Sequence, residues 1–139
     1  MDLNVKQWAN EILSTMEDAC NFEINPTDKD FVFRATNRKD GANVDISLND
    51  SGLVFLFRGE IDNFNWSDTG LFNSINSSCG ILKCWYEIQN DICVTCFSFC
   101  YPTYATANNV FVNTFDSFTD EIGFATKMFK NSGYQVFAP

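Results

Sequence analysis

The first twenty positions of the chain alternate apolar and polar residues with the period of an α-helix. Apolar residues recur three or four positions apart, at Val5, Trp8, Ala9, Ile12, Leu13 and Met16. Because residues with this spacing share one helical face, the pattern predicts an amphipathic helix of about four turns. The segment "NFEINPTDKD" follows with Asn25, Pro26 and two aspartates, so we expect a connecting loop there.

The next part of the chain changes to a period of two, which is typical of strands. The segments "FVFRA" (31–35) and "VDISL" (44–48) each alternate apolar with more polar positions, which predicts two strands joined by a turn through "TNRKDGA". The following segment "GLVFLFRGE" is apolar on both faces. One face carries Leu53, Phe55 and Phe57, and the other carries Val54 and Leu56. A strand of this kind needs cover on both sides.

A short helix and two more strands follow. Ser67 and Asp68 can cap a helix through "TGLFNSINSS", in which Leu71, Phe72 and Ile75 form the apolar stripe. The segments "ILKCWYEI" and "ICVTCFSFC" then read as strands joined by a tight reversal at "QND". Pro102 has no backbone donor and is expected to end the second of them.

The last element is the longest. One apolar stripe consists of Phe111, Phe115, Phe118, Ile122, Ala125 and Phe129. It predicts a helix from about Thr106 to Lys130, although "NVFVNTF" is also compatible with a strand at its start. Gly133 is expected to end the helix and to leave "YQVFAP" as a tail.

The predicted order is α-β-β-β-α-β-β-α, an α+β protein with a five-stranded, mainly antiparallel sheet packed with helices, in one domain of residues 1–139 with 133–139 as a tail. This order resembles the YbjN family and the wider type III secretion chaperone-like fold. The resemblance is carried by the N-terminal helix, "FVFRA", "VDISL", "GLVFLFRGEI", "LKCWYEI" and "ICVTCFSF" before the terminal stripe. It implies a non-catalytic function, because YbjN-type proteins are described as sensory or stress regulators and the chaperones bind partner polypeptides as homodimers.

Composition and charge limit the classes of partner that the chain is expected to bind. The 139 residues are 45% apolar and 16% aromatic, and 18 acidic against 9 basic residues give a net charge of −9. This charge opposes nucleic acid and anionic membrane surfaces. The short basic cluster of Arg34, Arg38 and Lys39 is flanked by Asp40 and Asp45. With neither a signal peptide nor a membrane span in the pattern, we expect a cytoplasmic protein with reduced cysteines.

The segment "DICVTCFSFCYP" places Cys93, Cys96 and Cys100 within eight positions. On a strand the side chains alternate, so Cys93 lies on one face while Cys96 and Cys100 lie on the other. We therefore expect structural cysteines, and no metal or other cofactor. The alternative is a thiol-dependent metal or redox protein that uses these three cysteines with Cys84, and it requires a different strand register.

Other chemistry is poorly supported by the sequence. The chain has no histidine, which removes Ser-His-Asp and Cys-His catalysis and histidine-ligated metals, so we expect no catalytic residues. Asp116, Asp120 and Glu121 lie within two helical turns, and we interpret them as the solvent face of the last helix.

The predicted sheet has more apolar surface than three helices cover. We expect the helices to pack on one face, and a second copy or a protein partner to close part of the other. A helix arrangement that wraps both faces of a monomer is the alternative. The candidate partner-binding residues are Phe55, Phe57, Trp85, Phe97 and Phe99. The sequence thus favours a non-catalytic cytosolic interaction or regulatory domain, expected as a homodimer, and a small-ligand sensor with an aromatic pocket is a third possibility.

Overall fold

The computed structural model describes residues 1–103 and 108–137, and its elements confirm the α+β class. The helices are α1 (Leu3–Ala19), α2 (Gly70–Ser78) and α3 (Asn108–Asn131), with a 3₁₀ turn at Trp66–Asp68. The strands are β1 (Phe22–Pro26), β2 (Val32–Asn37), β3 (Asn43–Asn49), β4 (Gly52–Ile61), β5 (Lys83–Gln89), β6 (Ile92–Pro102) and β7 (Val136–Phe137). The segment "NVFVNTF" is helical. The predicted helix start at Thr106 lies outside the described residues.

The strands of the described residues form a seven-stranded sheet in the order β1-β2-β3-β4-β6-β5, with β7 paired to β4. The predicted number of five strands is therefore wrong. The first missed strand is β1, which the sequence assigned to a loop and which pairs antiparallel with β2 from Phe22↔Asn37 to Pro26↔Phe33. Pro26 is tolerated because it ends a strand at the edge of the sheet, where a missing N–H breaks no ladder.

The second missed strand, β7, lies in the segment that the sequence assigned to a tail. Val136 pairs with Ile61 and Phe137 pairs with Glu60. The chain reverses toward β4 directly after α3, because Gly133 has φ +92. The N–H of Gly133 donates to Lys130 O at 3.0 Å and that of Tyr134 to Phe129 O at 2.9 Å. This pair of bonds is a Schellman motif and confirms Gly133 as the end of the helix.

Two further details of the predicted elements need correction. Phe31, which the pattern placed in a strand, lies just before β2 with φ +61 and is 37% exposed. Ser67 and Asp68 do not cap α2; they belong to the 3₁₀ turn, where Asn65 Oδ1 accepts from the N–H of Ser67 at 3.1 Å. The helix α2 starts after Thr69 without a side-chain cap.

The chain divides into two compact units, and each has its own core. Unit 1 comprises the described residues of Met1–Leu56 and Cys100–Asp116, and unit 2 those of Phe57–Phe99 and Ser117–Pro139. The strands β4 and β6 and the helix α3 contribute residues to both units.

Unit 1 is built on the apolar face of α1, and the prediction for this helix is confirmed. All six residues of the predicted stripe are buried. Trp8 stacks on Tyr101 with ring centroids 6.1 Å apart, and Tyr101 meets Phe111 edge to face at 5.1 Å. Phe111 in turn lies 5.6 Å from Phe55. Rings at these separations gain from their own contacts beyond the burial of their area.

Unit 2 has an aromatic core that brings together α2, α3 and the strands. Phe118 of α3 packs on Phe99 at 4.5 Å and on Phe57 at 5.8 Å between ring centroids. Phe129, in the last turn of α3, contacts Phe72 of α2 at 5.3 Å between ring centroids. These rings hold the two helices against the strands, and they position the outer strand β5.

Candidate functional site

The strand β5 lies at one end of the sheet order, and β6 is its strand neighbour in the described part of the chain. The two pair antiparallel from Lys83↔Ser98 to Gln89↔Ile92. Asn90 and Asp91 connect them with φ 51 and 64, which is the left-handed geometry of a two-residue type I′ hairpin. The predicted reversal at "QND" is confirmed, and one edge of β5 faces away from the sheet.

The side chain of Asn76, on α2, occupies part of this outer edge. Its Oδ1 accepts from the N–H of Cys84 at 2.7 Å, and its Nδ2 donates to the carbonyl of Cys84 at 2.8 Å. Both backbone groups of Cys84 therefore point away from β6. The amide of Asn76 takes the place that a neighbouring strand would otherwise hold.

The direction of the Cys84 groups fixes the direction of those further along β5. In an antiparallel pair, residues alternate between those that bond to the partner strand and those whose groups point outward. Cys84 is of the outward kind, so Tyr86 and Ile88 are as well. The turn supports this register, because a hydrogen-bonded type I′ turn makes Gln89 and Ile92 a bonded pair. The N–H and C=O groups of Tyr86 and Ile88 thus point outward from the sheet.

Apolar side chains surround these outward backbone groups. Ile88 is 62% exposed, Trp66 42%, and Trp85 and Tyr86 38% each. We call the backbone groups of Tyr86 and Ile88, together with the side chains of Trp66, Trp85, Tyr86 and Ile88, the β5 edge surface. An exposed strand edge with apolar side chains is a template for pairing with another chain.

The rings of the β5 edge surface are held in place by the core of unit 2. Tyr86 lies 5.1 Å from Phe72 and 5.5 Å from Trp66, measured between ring centroids. Phe64 contacts Trp66 at 5.3 Å and Tyr134 at 4.9 Å. Because Phe64 and Phe72 are buried, the exposed rings rest on a fixed base.

The hydroxyl of Tyr134 fixes the 3₁₀ turn that carries Trp66. It donates to Asp68 Oδ2 and accepts from the N–H of Asn65 at 3.1 Å. The hydrogen bond to Asp68 raises the pKa of Tyr134. Trp66 is thereby tied to the chain segment that follows α3.

A cleft of about 500 Å³ borders the start of β5 and is lined by Asn76, residues 79–83, Cys84 and Trp85. Its wall is fixed by Glu121 of α3, whose carboxylate accepts from the N–H groups of Ile81 and Leu82, each at 2.9 Å. Glu121 therefore supports the entry to β5, rather than belonging only to a solvent face as the sequence indicated. Within residues 1–103 and 108–137, no group of three or more His, Cys, Asp or Glu side chains is arranged to hold a metal ion.

The structure separates the five aromatic residues that the sequence singled out. Phe55, Phe97 and Phe99 are buried, at 0%, 2% and 4% exposure, so they belong to the core of their units. Phe57 is half-buried and packs on Phe118. Trp85 is exposed and belongs to the β5 edge surface.

Sequence reasoning missed Trp66, Tyr86 and Ile88 as surface residues. Ile88 carries the clearest sequence signal, since it is an apolar residue two positions before the polar reversal at "QND". Trp66 stands in a polar segment beside Asn65 and Ser67, where a large ring is unusual. Tyr86 and Trp85 are successive residues of β5 and point to opposite faces of the sheet, so the sequence does not tell which of them is exposed. The exposure of Tyr86 follows only from the position of β5 at the edge of the sheet.

The cysteines of β5 and β6 are spread over both faces of the sheet. Cys93 lies opposite Ile88 and Cys96 opposite Trp85 in the ladder. All six cysteines of the chain are free thiols. Burial raises the pKa of Cys84 to about 12 and those of Cys93 and Cys96 to about 11. Because thiolates are the reactive and metal-binding form, these surroundings favour inert thiols.

The described elements define an α+β protein in which an antiparallel sheet is combined with three helices. Among solved structures, the chain is similar to YbjN from E. coli, whose role as a transcription regulator is itself only a proposal. The identity is 14%, the match covers 94% of this chain and 96% of YbjN, and the TM-score is 0.68. The YbjN-like fold that the sequence indicated is thereby confirmed.

No protein-family model matches the sequence, and no curated protein matches it either. Within the described residues, no helix combines the length and the apolarity needed to cross a bilayer.

Proposed function

We propose that this chain is a non-catalytic interaction module that binds an extended polypeptide segment at the β5 edge surface. The observation that carries the proposal is the outward direction of the backbone groups of Tyr86 and Ile88 beside exposed apolar side chains. An extended segment that adds to a sheet edge gains affinity from main-chain hydrogen bonds and specificity from alternate side chains. Because the exposed rings of the β5 edge surface already rest on buried rings, this chain loses little conformational entropy when the segment binds.

The energetics favour a reversible interaction. Two outward residues offer about four hydrogen bonds, each with a net value of about 1 kcal/mol. Each buried apolar side chain adds about 1.5 to 3 kcal/mol when it is fully covered. Association costs at least about 4 kcal/mol, so the surplus is modest. Binding of this strength suits a regulator that releases its partner.

The same properties support a regulatory role and a cytoplasmic compartment. The YbjN-like fold supports a regulatory function exerted through binding rather than through catalysis, and the inert thiols give no support to redox or metal chemistry. Six unpaired cysteines support the cytoplasm as the compartment. The partner is either another protein or a second copy of this chain, and the homodimer expected from the sequence is the second of these cases.

Backbone methylation of a bound peptide tests strand addition directly. A binder would be selected from a displayed library of random decapeptides against the immobilised protein, and then resynthesised with one N-methyl group at each position in turn. Strand addition predicts that affinity is lost at every second position, where the peptide N–H faces β5, and is retained at the positions between. Loss without this alternation would contradict the proposal.

A further inference from the structure

We infer that the partner of the β5 edge surface is an extended segment of another protein, with a basic residue flanked by apolar residues and placed opposite Glu87. This inference rests on the proposed function and names the chemistry of the partner. The inference has two grounds. The outward backbone groups of Tyr86 and Ile88 set the register of a bound segment, and the negative charge of Glu87 lies between these two residues.

The register places Glu87 at the centre of the pairing site. An antiparallel segment that bonds to Tyr86 and to Ile88 forms a hydrogen-bonded pair with each of them. The residue opposite Glu87 then belongs to a non-hydrogen-bonded pair, in which Cα atoms are about 4.5 Å apart and side chains are closest. Glu87 therefore contacts one residue of the partner directly.

The carboxylate of Glu87 carries the negative charge at this position of β5, on a face where Glu87 and Arg58 both act on the Cys96 thiol. Its side chain is half-buried and accepts from Nε2 of Gln89 at 3.2 Å. Opposite charges that face each other across two strands attract, whereas like charges repel. A lysine or an arginine opposite Glu87 places a cation directly across the two strands from this carboxylate, and the net charge of −9 favours a basic partner at longer range.

The neighbours of that basic residue face apolar side chains. Successive residues of a strand point to opposite faces, so the residues before and after it lie beside Tyr86 and Ile88. These side chains share their face with the ring of Trp66, which contacts Tyr86. The segment that fits best therefore reads apolar, basic, apolar.

A second copy of β5 does not meet these requirements. Five antiparallel registers, centred on residues 84 to 88, align outward groups of one copy with outward groups of the other. The register centred on Glu87 brings two carboxylates face to face, and the registers centred on Cys84, Trp85 and Tyr86 need the Cys84 groups that Asn76 already occupies. The register centred on Ile88 requires Asn90 to act as a strand residue, although its φ is 51.

A charge exchange between protein and peptide tests this inference. The probes are two synthetic peptides, acetyl-Gly-Thr-Val-Lys-Val-Thr-Gly-amide and the same peptide with Glu in place of Lys. Each is titrated against the wild-type protein and the Glu87→Lys variant, and the amide chemical shifts of Tyr86 and Ile88 are followed by NMR. Asp120→Lys is the matched control, because Asp120 is exposed on α3 and its replacement changes the net charge equally.

We expect the wild-type protein to bind the Lys peptide about fivefold more tightly than the Glu peptide. Glu87→Lys reverses this preference, whereas Asp120→Lys keeps it. Shifts at Tyr86 and Ile88 with equal affinity for both peptides would overturn the inference and leave the proposed function intact. No shift at either residue with any peptide would contradict both. A dimer by analytical ultracentrifugation in which the amides of Tyr86 and Ile88 are protected would overturn the choice of another protein.

Discussion

The side-chain amide of Asn76 is hydrogen-bonded to both backbone groups of Cys84, at 2.7 Å and 2.8 Å. A residue of α2 thus covers the start of the exposed edge of β5, and the pairing site is limited to the two outward residues beyond it. Natural proteins protect sheet edges in several ways. Here the protection is local, and it ends where the exposed apolar side chains begin.

Replacing Asn76 should open the edge at one position. In Asn76→Ala the N–H of Cys84 loses its acceptor, so its hydrogen exchange should become about tenfold faster, and the free energy of unfolding should fall by about 1 to 2 kcal/mol. Exchange at Tyr86 and Ile88 should not change. Asn73→Ala, at an exposed position of the same helix, is the control. Equal exchange of Cys84 in both variants would show that the Asn76 amide does not cover the edge.

Alkaline pH should destabilise the protein through its buried thiols. Burial raises the pKa of Cys84 to about 12, while a thiol in the unfolded chain titrates near 8.5. The unfolded state therefore loses its proton first, so the stability from this thiol is complete below about pH 8.5 and is lost progressively up to about pH 12.

Urea unfolding at pH 8 and pH 10.5 under reducing conditions measures this effect. The contribution of Cys84 to the loss of unfolding free energy should be about 2 to 3 kcal/mol. Cys84→Ala should show a smaller loss between the two pH values than the wild-type protein. The same loss in both proteins would mean that the Cys84 thiol does not titrate differently in the folded state.

The buried face of α3 should contribute more to stability than its exposed face. Phe118 is fully buried and contacts Phe99 at 4.5 Å, so Phe118→Ala should cost about 3 to 5 kcal/mol of unfolding free energy. Phe124 is 44% exposed on the same helix. Phe124→Ala should change stability by less than about 0.5 kcal/mol. Similar losses from both substitutions, measured by thermal or urea unfolding, would contradict the packing of unit 2.

The pairing of β7 with β4 should depend on the missing side chain of Gly59. A Cβ at this position would lie 2.3 Å from Cγ1 of Val136 and 3.3 Å from the carbonyl oxygen of Phe137. Gly59→Ala should therefore destabilise the protein by about 1 to 3 kcal/mol through overpacking. In a double-mutant cycle, Val136→Ala should recover part of this loss. Purely additive effects would indicate that the two residues do not meet.

The sequence predicts a helix or a strand well where a long periodic pattern of apolar residues coincides with the one face of the element that is buried. The helix α1 and the strand β3 follow their apolar positions because every residue of the pattern is buried. The short strands β1 and β7 lack such a pattern. Pro26 resembles a turn residue, and the two residues of β7 become a strand only because the reversal at Gly133 brings them to β4.

The candidate site is less predictable from the sequence. When a strand carries apolar residues on both faces, the exposure of each side chain depends on which strands and helices pack against it. Phe97 and Trp85 lie on adjacent strands and are both aromatic, yet Phe97 is buried and Trp85 is exposed. The difference comes from the edge position of β5, which depends on pairing across the whole sheet. The support that Glu121 gives to Ile81 joins residues 40 positions apart, and local patterns do not report contacts of this range.

Hydrogen exchange at the amides of Tyr86 and Ile88, measured by NMR with and without a selected peptide, tests the central claim most directly. In the free protein both amides should exchange quickly, while the amide of Glu87, which bonds to β6, is protected. The bound peptide should protect Tyr86 and Ile88 and leave Glu87 unchanged. Protection of Tyr86 and Ile88 in the free monomer, or fast exchange of both in the complex, would contradict the assignment of this edge as the binding surface.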